Sequence, residues 1–432
     1  MIFLKNASYI NWETLEIKKK HIRIDEGENG KIEFLDVWPG SELLHNNTVI
    51  DCNGNYVMRS FVCGHHHVYS ALACGMGKPA KNPENFYDIL KYIWWTLDKC
   101  LNKEMIEASA YITAIECAKN GTTFVMDHHA SPNAIEGSLE IIANVFEKVG
   151  LGHLLCYEIT DRDGVEFANK GLAETEKYLR NHQGLVGLHA SFTLTNATLK
   201  KAIKLAQKYN TGVHVHIAED LYDQDNCYEL YNKRVVERFE EFGMLQLYKS
   251  IFVHCLYLTP GERNLIRDSG IFVAQNPDSN LNNNVGYFRS HCLGQNIMLG
   301  TDGMHSDMLR SMKMAFLAGQ SCDQIDMKGA YERLRNSHKY LELNNFKGDG
   351  QNNLIILDYN PPTLLNSSNI LAHMIFSIHQ GHIKHVISKG KVIVKDRKVT
   401  TVDEMELYKT SRALSKELWQ RMKKVKHPLI KG

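Results

Sequence analysis

The chain has 432 residues, with 50 Lys and Arg against 49 Asp and Glu and a formal net charge of +1. That balance gives no electrostatic case for nucleic acid or an anionic membrane surface as partner, and no apolar run approaches the ~20 residues of a membrane span. Ten cysteines are scattered without a C-x-x-C pair, and Cys63, Cys156 and Cys255 lie inside apolar runs. We therefore expect reduced thiols and a cytoplasmic protein, with too short an apolar start for a secretory signal.

Residues 1–57 read as short strands broken by turns, at Ile2–Leu4, Glu16–Ile24, Lys31–Val37 and Thr48–Asp51. Strand and helix then alternate. Apolar runs near 61–66, 121–127, 152–159, 184–190, 212–217, 250–255, 270–275 and 297–302 are separated by amphipathic segments. Those segments include Lys103–Lys119, Ala134–Val149, Ala173–Arg180, Asn196–Lys208 and Lys233–Phe242. Eight strand–helix repeats is the count of a closed parallel barrel. The expected class is α/β, a (β/α)8 TIM-like barrel over residues 58–345 with an insertion after its first strand. Asp349–Asp358 and His385–Asp396 return to strand character. Residues 346–432 should therefore complete a small β-sandwich with residues 1–57, and Glu404 to Lys424 reads as a closing helix.

Four of the barrel runs end in groups suited to a metal. The run from Phe61 closes on His65, His66 and His67. Strand alternation puts His65 and His67 on one face and His66 on the other. Two imidazoles one repeat apart can share an ion, because zinc–nitrogen bonds are about 2.0–2.1 Å long. The run from Thr211 closes on His216 and Glu219, the run from Ser250 on His254, and the run from Asn296 on Asp302. In a parallel barrel all these ends meet on one face. His214 lies deeper than His216 and is expected to be a satisfied core histidine. His128, His129 and His189 end the second and fourth strands, where a substrate would sit. Asn276, Ser279 and Asn280 stand beside the same face or cap the next helix. Trp94 and Trp95, in the insertion, read as a packed lid helix ahead of a stacking platform.

The stretches Val62 to His67, His216 to Glu219, Val253-His254, Asn276 to Asn280 and Gly300 to Asp302 together resemble the amidohydrolase superfamily, in its cytosine deaminase/chlorohydrolase-like branch. Asp127 to Pro132 and Gly187 to Ser191 resemble its SsnA-type aminohydrolases, and the similarity covers nearly the whole chain. The resemblance implies that His65, His67, His216 and Asp302 bind one divalent metal, zinc in the first place, with iron or manganese as alternatives. It implies that His254 holds the attacking water or the tetrahedral intermediate, that Glu219 shuttles protons and that Asp302 also takes a proton. His128, His129, His189, Asn276, Ser279 and Asn280 are the expected substrate contacts. The implied activity is deamination of a purine, pyrimidine or pterin type heterocycle, a small-molecule partner. Ring-opening amide hydrolysis and chlorohydrolase-like chemistry are alternatives, and a non-catalytic scaffold is a remote one. Members are commonly homodimers. Two-metal members carry a carboxylated lysine on the fourth strand, and Leu185 to Ala190 has no lysine, so a single metal is expected. The chain departs from the family at Met58 to Ser60, where a Pro-Gly usually stands, and at His66 and Asp278.

Overall fold

The structure is a computed structural model that describes residues 1–79 and 81–425. Each of the eight apolar runs is a strand: Phe61–His66, Thr122–His129, Gly152–Tyr157, Val186–Ala190, Val213–Ile217, Ile251–His254, Phe272–Gln275 and Ile297–Leu299. Every ladder among them is parallel, the first three strands forming one run and the last five another. Parallel bridges join the two runs at both seams. Leu155–Gly184 and Ile159–Leu188 link the third strand to the fourth, and His66–Asp302 links the end of the eighth strand to the first. At that last seam the Thr301 and Asp302 amides donate to the His65 carbonyl at 2.9 and 3.2 Å. The strands are thus linked in one ring, with their C-terminal ends on one side.

Strands covered on both faces read as continuous apolar runs, and the side chains divide by alternation. Val62, Phe124, Met126, Leu154, Val253 and Met298 form an inner cluster, while Phe61, Val125, Val213, Val215 and Leu299 join the outer core beneath the helices. The first strand breaks that rule near its end. Its pairing with the second shifts register between Cys63 and His66. Plain alternation from inward Val62 would send His65 outward; the irregularity turns it in, as bulges do near sites.

Strands from both ends of the chain form a second, nine-stranded sheet, in the order Lys398–Val399, Lys391–Lys395, Ile383–Ser388, Leu354–Leu357, Tyr56–Arg59, Ile2–Ile10, Ile17–Ile24 and Ile32–Leu35, with Thr48–Asp51 beside Ile2–Ile10. It closes on its own core, which includes Leu4, Ile22, Ile24, Val57, Ile356 and Ile387. The first strand reaches Ile10 instead of stopping at Leu4. A bulge absorbs the polar Lys5-Asn6 pair that reads as a break, with a register shift between Leu4 and Ala7 and Asn6 at φ 54°. Tyr56–Arg59 straddles the boundary expected at residue 57 and pairs within this sheet. A buried strut ties sheet to barrel: Asp349 accepts from Arg59 Nη2 at 3.0 Å and from His338 Nδ1 at 2.7 Å. The closing helix, Glu404–Met422, is anchored by Trp419, whose Nε1 donates to the Leu72 carbonyl at 2.8 Å.

Candidate active site

The strand ends bring His65, His67, His216, His254 and Asp302 together. His67 Nε2 lies 3.2 Å from His216 Nε2 and 3.1 Å from Asp302 Oδ1, and His65 Nε2 lies 3.6 Å from the same oxygen. His254 Nε2 is 3.8 Å from Asp302 Oδ2 and 3.4 Å from Glu219 Oε2. The chain turns sharply to present these groups: Ala218, His254 and Asp302 have φ of 44°, 67° and 53°. Left-handed backbone at a residue with a side chain costs roughly 1–3 kcal/mol and collects at functional sites. Gly300 is required where the eighth strand meets the first, since a Cβ there would stand 2.3 Å from Asn276 Oδ1 and 2.8 Å from His65 Cβ.

Each ring is held through its Nδ1. His67 Nδ1 donates to the His128 carbonyl at 2.6 Å and His216 Nδ1 to the His189 carbonyl at 2.9 Å. His254 Nδ1 donates to Asn280 Oδ1 at 2.7 Å, and His65 Nδ1 pairs with His214 Nε2 at 2.9 Å. Fixing Nδ1–H in this way leaves Nε2 as a free lone pair, which is how ligand histidines are prepared. The Nε2 atoms of His67 and His216 then face each other. His65 Nε2 and His254 Nε2 are buried with no hydrogen-bond partner among the described residues. A tetrahedral zinc with bonds near 2.05 Å spaces its ligand atoms about 3.3 Å apart, and the 3.1, 3.2 and 3.6 Å separations suit that geometry. The donor set fits a divalent cation. His128, Glu158 and His216 form another compact grouping, but it shares His216, whose one free nitrogen already faces His67. The two groupings cannot both be filled.

The electrostatics agree. Burial drives His65 and His216 well below the ordinary imidazole value, which favours the neutral ring in both. Burial would raise Asp302, but the His65 and His67 rings beside it hold it well below the usual carboxylate range. Burial lowers His67 too, yet Asp302 overrides this and lifts it to about 9 in the cation-free cluster. A proton and a cation compete for that Nε2. Glu219 is pushed well above its ordinary value, by burial first and by the Asp302 charge second, which favours its protonated form.

The cluster floors a cleft that opens to solvent and is walled by Phe86, Leu90, Trp94 and Trp95 from the insertion. Of the six expected substrate contacts, His189 and Ser279 line it. The other four expected contacts do not reach it. His128 lies behind the cluster, with Nε2 donating to the Leu188 and His214 carbonyls at 3.0 and 3.1 Å, and His129 is paired with Ser131 at 2.9 Å. Asn276 is fully buried against Gly300. Asn280 serves His254 instead of a substrate. Trp94 and Trp95 pack as a lid and also face the cleft. Sequence reasoning missed Glu158 and Arg162. Both line the cleft, with Arg162 Nη1 donating to Glu158 Oε1 at 3.1 Å, Arg162 ion-paired with Asp98, and its guanidinium 5.2 Å from the Trp95 ring. The signal was present: Glu158 closes the third apolar run as His67 closes the first.

A sequence model of the Amidohydrolase family matches residues 56–335, and the chain belongs to that family. It is a hydrolase acting on carbon–nitrogen bonds. Among curated proteins it is 27% identical to a 5'-deoxyadenosine deaminase of Methanococcus maripaludis, over 97% of this chain and 100% of the relative. It is also 27% identical to a 5-methylthioadenosine/S-adenosylhomocysteine deaminase of Thermococcus sibiricus, over 91% of this chain and 94% of the relative. Among solved structures, an adenosine deaminase from Xanthomonas campestris with bound zinc superposes with a TM-score of 0.80, at 17% identity, covering 98% of this chain and 99% of that one. The last comparison speaks to the fold.

Proposed function

We propose that this amidohydrolase deaminates a purine-type heterocycle, as the base or its nucleoside, with His65, His67, His216 and Asp302 holding a single divalent metal, zinc in the first place. The observation that carries the reading is the placement of the Glu219 acid 3.4 Å from His254 and beside Asp302, at the floor of an aromatic-walled cleft. The named activities of the curated relatives support the substrate class.

When bound, the cation supplies the acidity, lowering the pKa of a water from ~15.7 toward ~7. The chain's own groups do the rest. With Nδ1–H committed to Asn280, and with burial lowering its pKa, His254 is neutral and offers Nε2 as an acceptor. It therefore orients the attacking water, a narrower role than holding either the water or the intermediate. Asp302, anionic, takes the water's proton. Glu219, protonated, gives a hydrogen to the ring nitrogen next to the attacked carbon and then serves the leaving amine. The aromatic wall excludes water and holds the ring flat. The all-thiol state of the ten cysteines supports a cytoplasmic location, and we take the homodimer expected from the resemblance as part of the same proposal.

The test is ammonia release from metal-loaded protein across adenine, guanine, cytosine and pterin bases and nucleosides, followed by product mass. Deamination exchanges NH for O, whereas ring opening adds a whole water. Silence across the panel, or a product heavier by water, would refute the reading.

A further inference from the structure

His66 and Asp278, two positions at which the chain leaves the family pattern, grip the loop that carries Asp302 at its two ends. His66 is 4% exposed and bridges to Asp302 across the barrel seam. Its Nδ1 lies 2.7 Å from the Asp302 carbonyl oxygen and 2.9 Å from Thr301 Oγ1. A carbonyl oxygen only accepts, so Nδ1 carries the ring proton and donates it there. The His67 amide donates to the same carbonyl at a longer 3.4 Å. Farther along the loop, the Asp307 amide donates to His305 Nδ1 at 3.1 Å. That leaves the His305 proton on Nε2, which lies 3.2 Å from Asp278 Oδ2. Asp278 Oδ1 also accepts from Arg310 Nε at 2.8 Å, in the first turn of the next helix, Met308–Gly319.

Asp302 needs such a hold. At φ 53° it has left-handed backbone, which persists at a residue with a side chain only where the surroundings fix it. Two peptide planes flank Asp302, and fixing both fixes the direction of its Cβ. The plane before it is held by its own amide, which donates to the His65 carbonyl at 3.2 Å. The plane after it carries the carbonyl that takes the His66 proton. An apolar side chain at position 66 would supply no donor for that second plane. We propose that His66 is a positioning residue for Asp302. Its Nδ1–H sets the angle at which the Asp302 carboxylate meets the metal and the attacking water, and it acts only through Asp302. This rests on the metal-site reading above.

The experiment compares the full chain with its His66→Asn, His66→Gln and His66→Leu variants, each stripped of metal and reloaded. An asparagine side-chain nitrogen can stand where Nδ1 stands, a glutamine nitrogen falls nearer Nε2, and leucine has no donor. Zinc affinity is read by competition with a chromophoric chelator. The visible spectrum of the cobalt(II)-loaded protein reports ligand geometry without turnover. The expected result is that asparagine keeps the wild-type affinity and spectrum. Glutamine and leucine should weaken zinc binding by roughly 10–100-fold, the loss typical of groups that orient metal ligands, and shift the cobalt bands. Glutamine is closer to histidine in volume than asparagine is, so a packing role alone predicts the opposite order. If the leucine variant does not fold, the asparagine–glutamine pair decides. Asparagine no better than glutamine, or a folded leucine variant with wild-type affinity and spectrum, would overturn the positioning role and leave the metal site standing. A wild-type chain that takes up neither zinc nor cobalt would remove the metal reading itself, and this role with it.

Discussion

Replacing Asn280 by alanine isolates the role assigned to His254. Asn280 Oδ1 accepts the His254 Nδ1 proton at 2.7 Å, and His254 Nε2 has no hydrogen-bond partner among the described residues. Without that acceptor the ring is free to carry its proton on Nε2, where it no longer accepts from water. Leaving a buried donor unmatched costs about 1–3 kcal/mol, which at about 1.36 kcal/mol per decade corresponds to roughly 5- to 150-fold in kcat/KM. The Asn280 side chain bonds to His254 and not to the four proposed metal ligands, so bound metal should stay at the wild-type level. The assay is steady-state ammonia release with metal analysis of the same samples, repeated in a His254→Ala background. There the Asn280 substitution should do nothing more, because its partner is gone. An equal loss in both backgrounds, or loss of metal in the single variant, would refute the assignment.

Further outcomes follow from the same geometry. Glu219→Gln, which cannot give up and retake a proton, should lower kcat by about 10²–10⁴ with metal retained, read by the same two assays. Gly300→Ala places a Cβ 2.8 Å from His65 Cβ and should lower bound metal and activity together; retention of both would show that the seam yields. Asp349→Ala leaves Arg59 and His338 buried without their carboxylate and should cost about 3–5 kcal/mol in urea unfolding. Burial opposes ionisation of Asp349, but His338 and Arg59 hold it far below the ordinary carboxylate value. Its contribution is therefore full above about pH 4, the unfolded carboxylate value, and is lost as pH falls toward the folded one. Acid sensitivity below pH 4 that is unchanged in the variant would contradict this.

The barrel was legible because its strands are buried on both faces. Each run is mostly apolar, and each candidate ligand stands at or just beyond its end. Lys103–Lys119 and Asn196–Lys208 have the bounds their periodicity gives. Val165–Leu179 begins eight residues before the expected Ala173, because its first half is polar and carries Gly171 packed on the Tyr157 ring. The ligand set depends on chemistry at strand ends, which sequence displays. The pocket wall depends on which way loops and rings turn, which it does not. His128 and His129 end a strand as His67 does, yet carbonyls and Ser131 take their nitrogens. Glu158 was overlooked because a lone carboxylate in an apolar run gives no sign of the arginine that holds it. His214 is buried as expected but not satisfied: its Nε2 meets His65 Nδ1, which makes it a support for the His65 ring, while its Nδ1 has no hydrogen-bond partner among the described residues.

The most direct measurement is the metal content of the purified chain, by mass spectrometry, beside that of His216→Ala and Asp302→Ala. The account predicts one equivalent of divalent ion per chain, lost in both variants along with activity. Two equivalents in the wild type, or full retention in either variant, would contradict it.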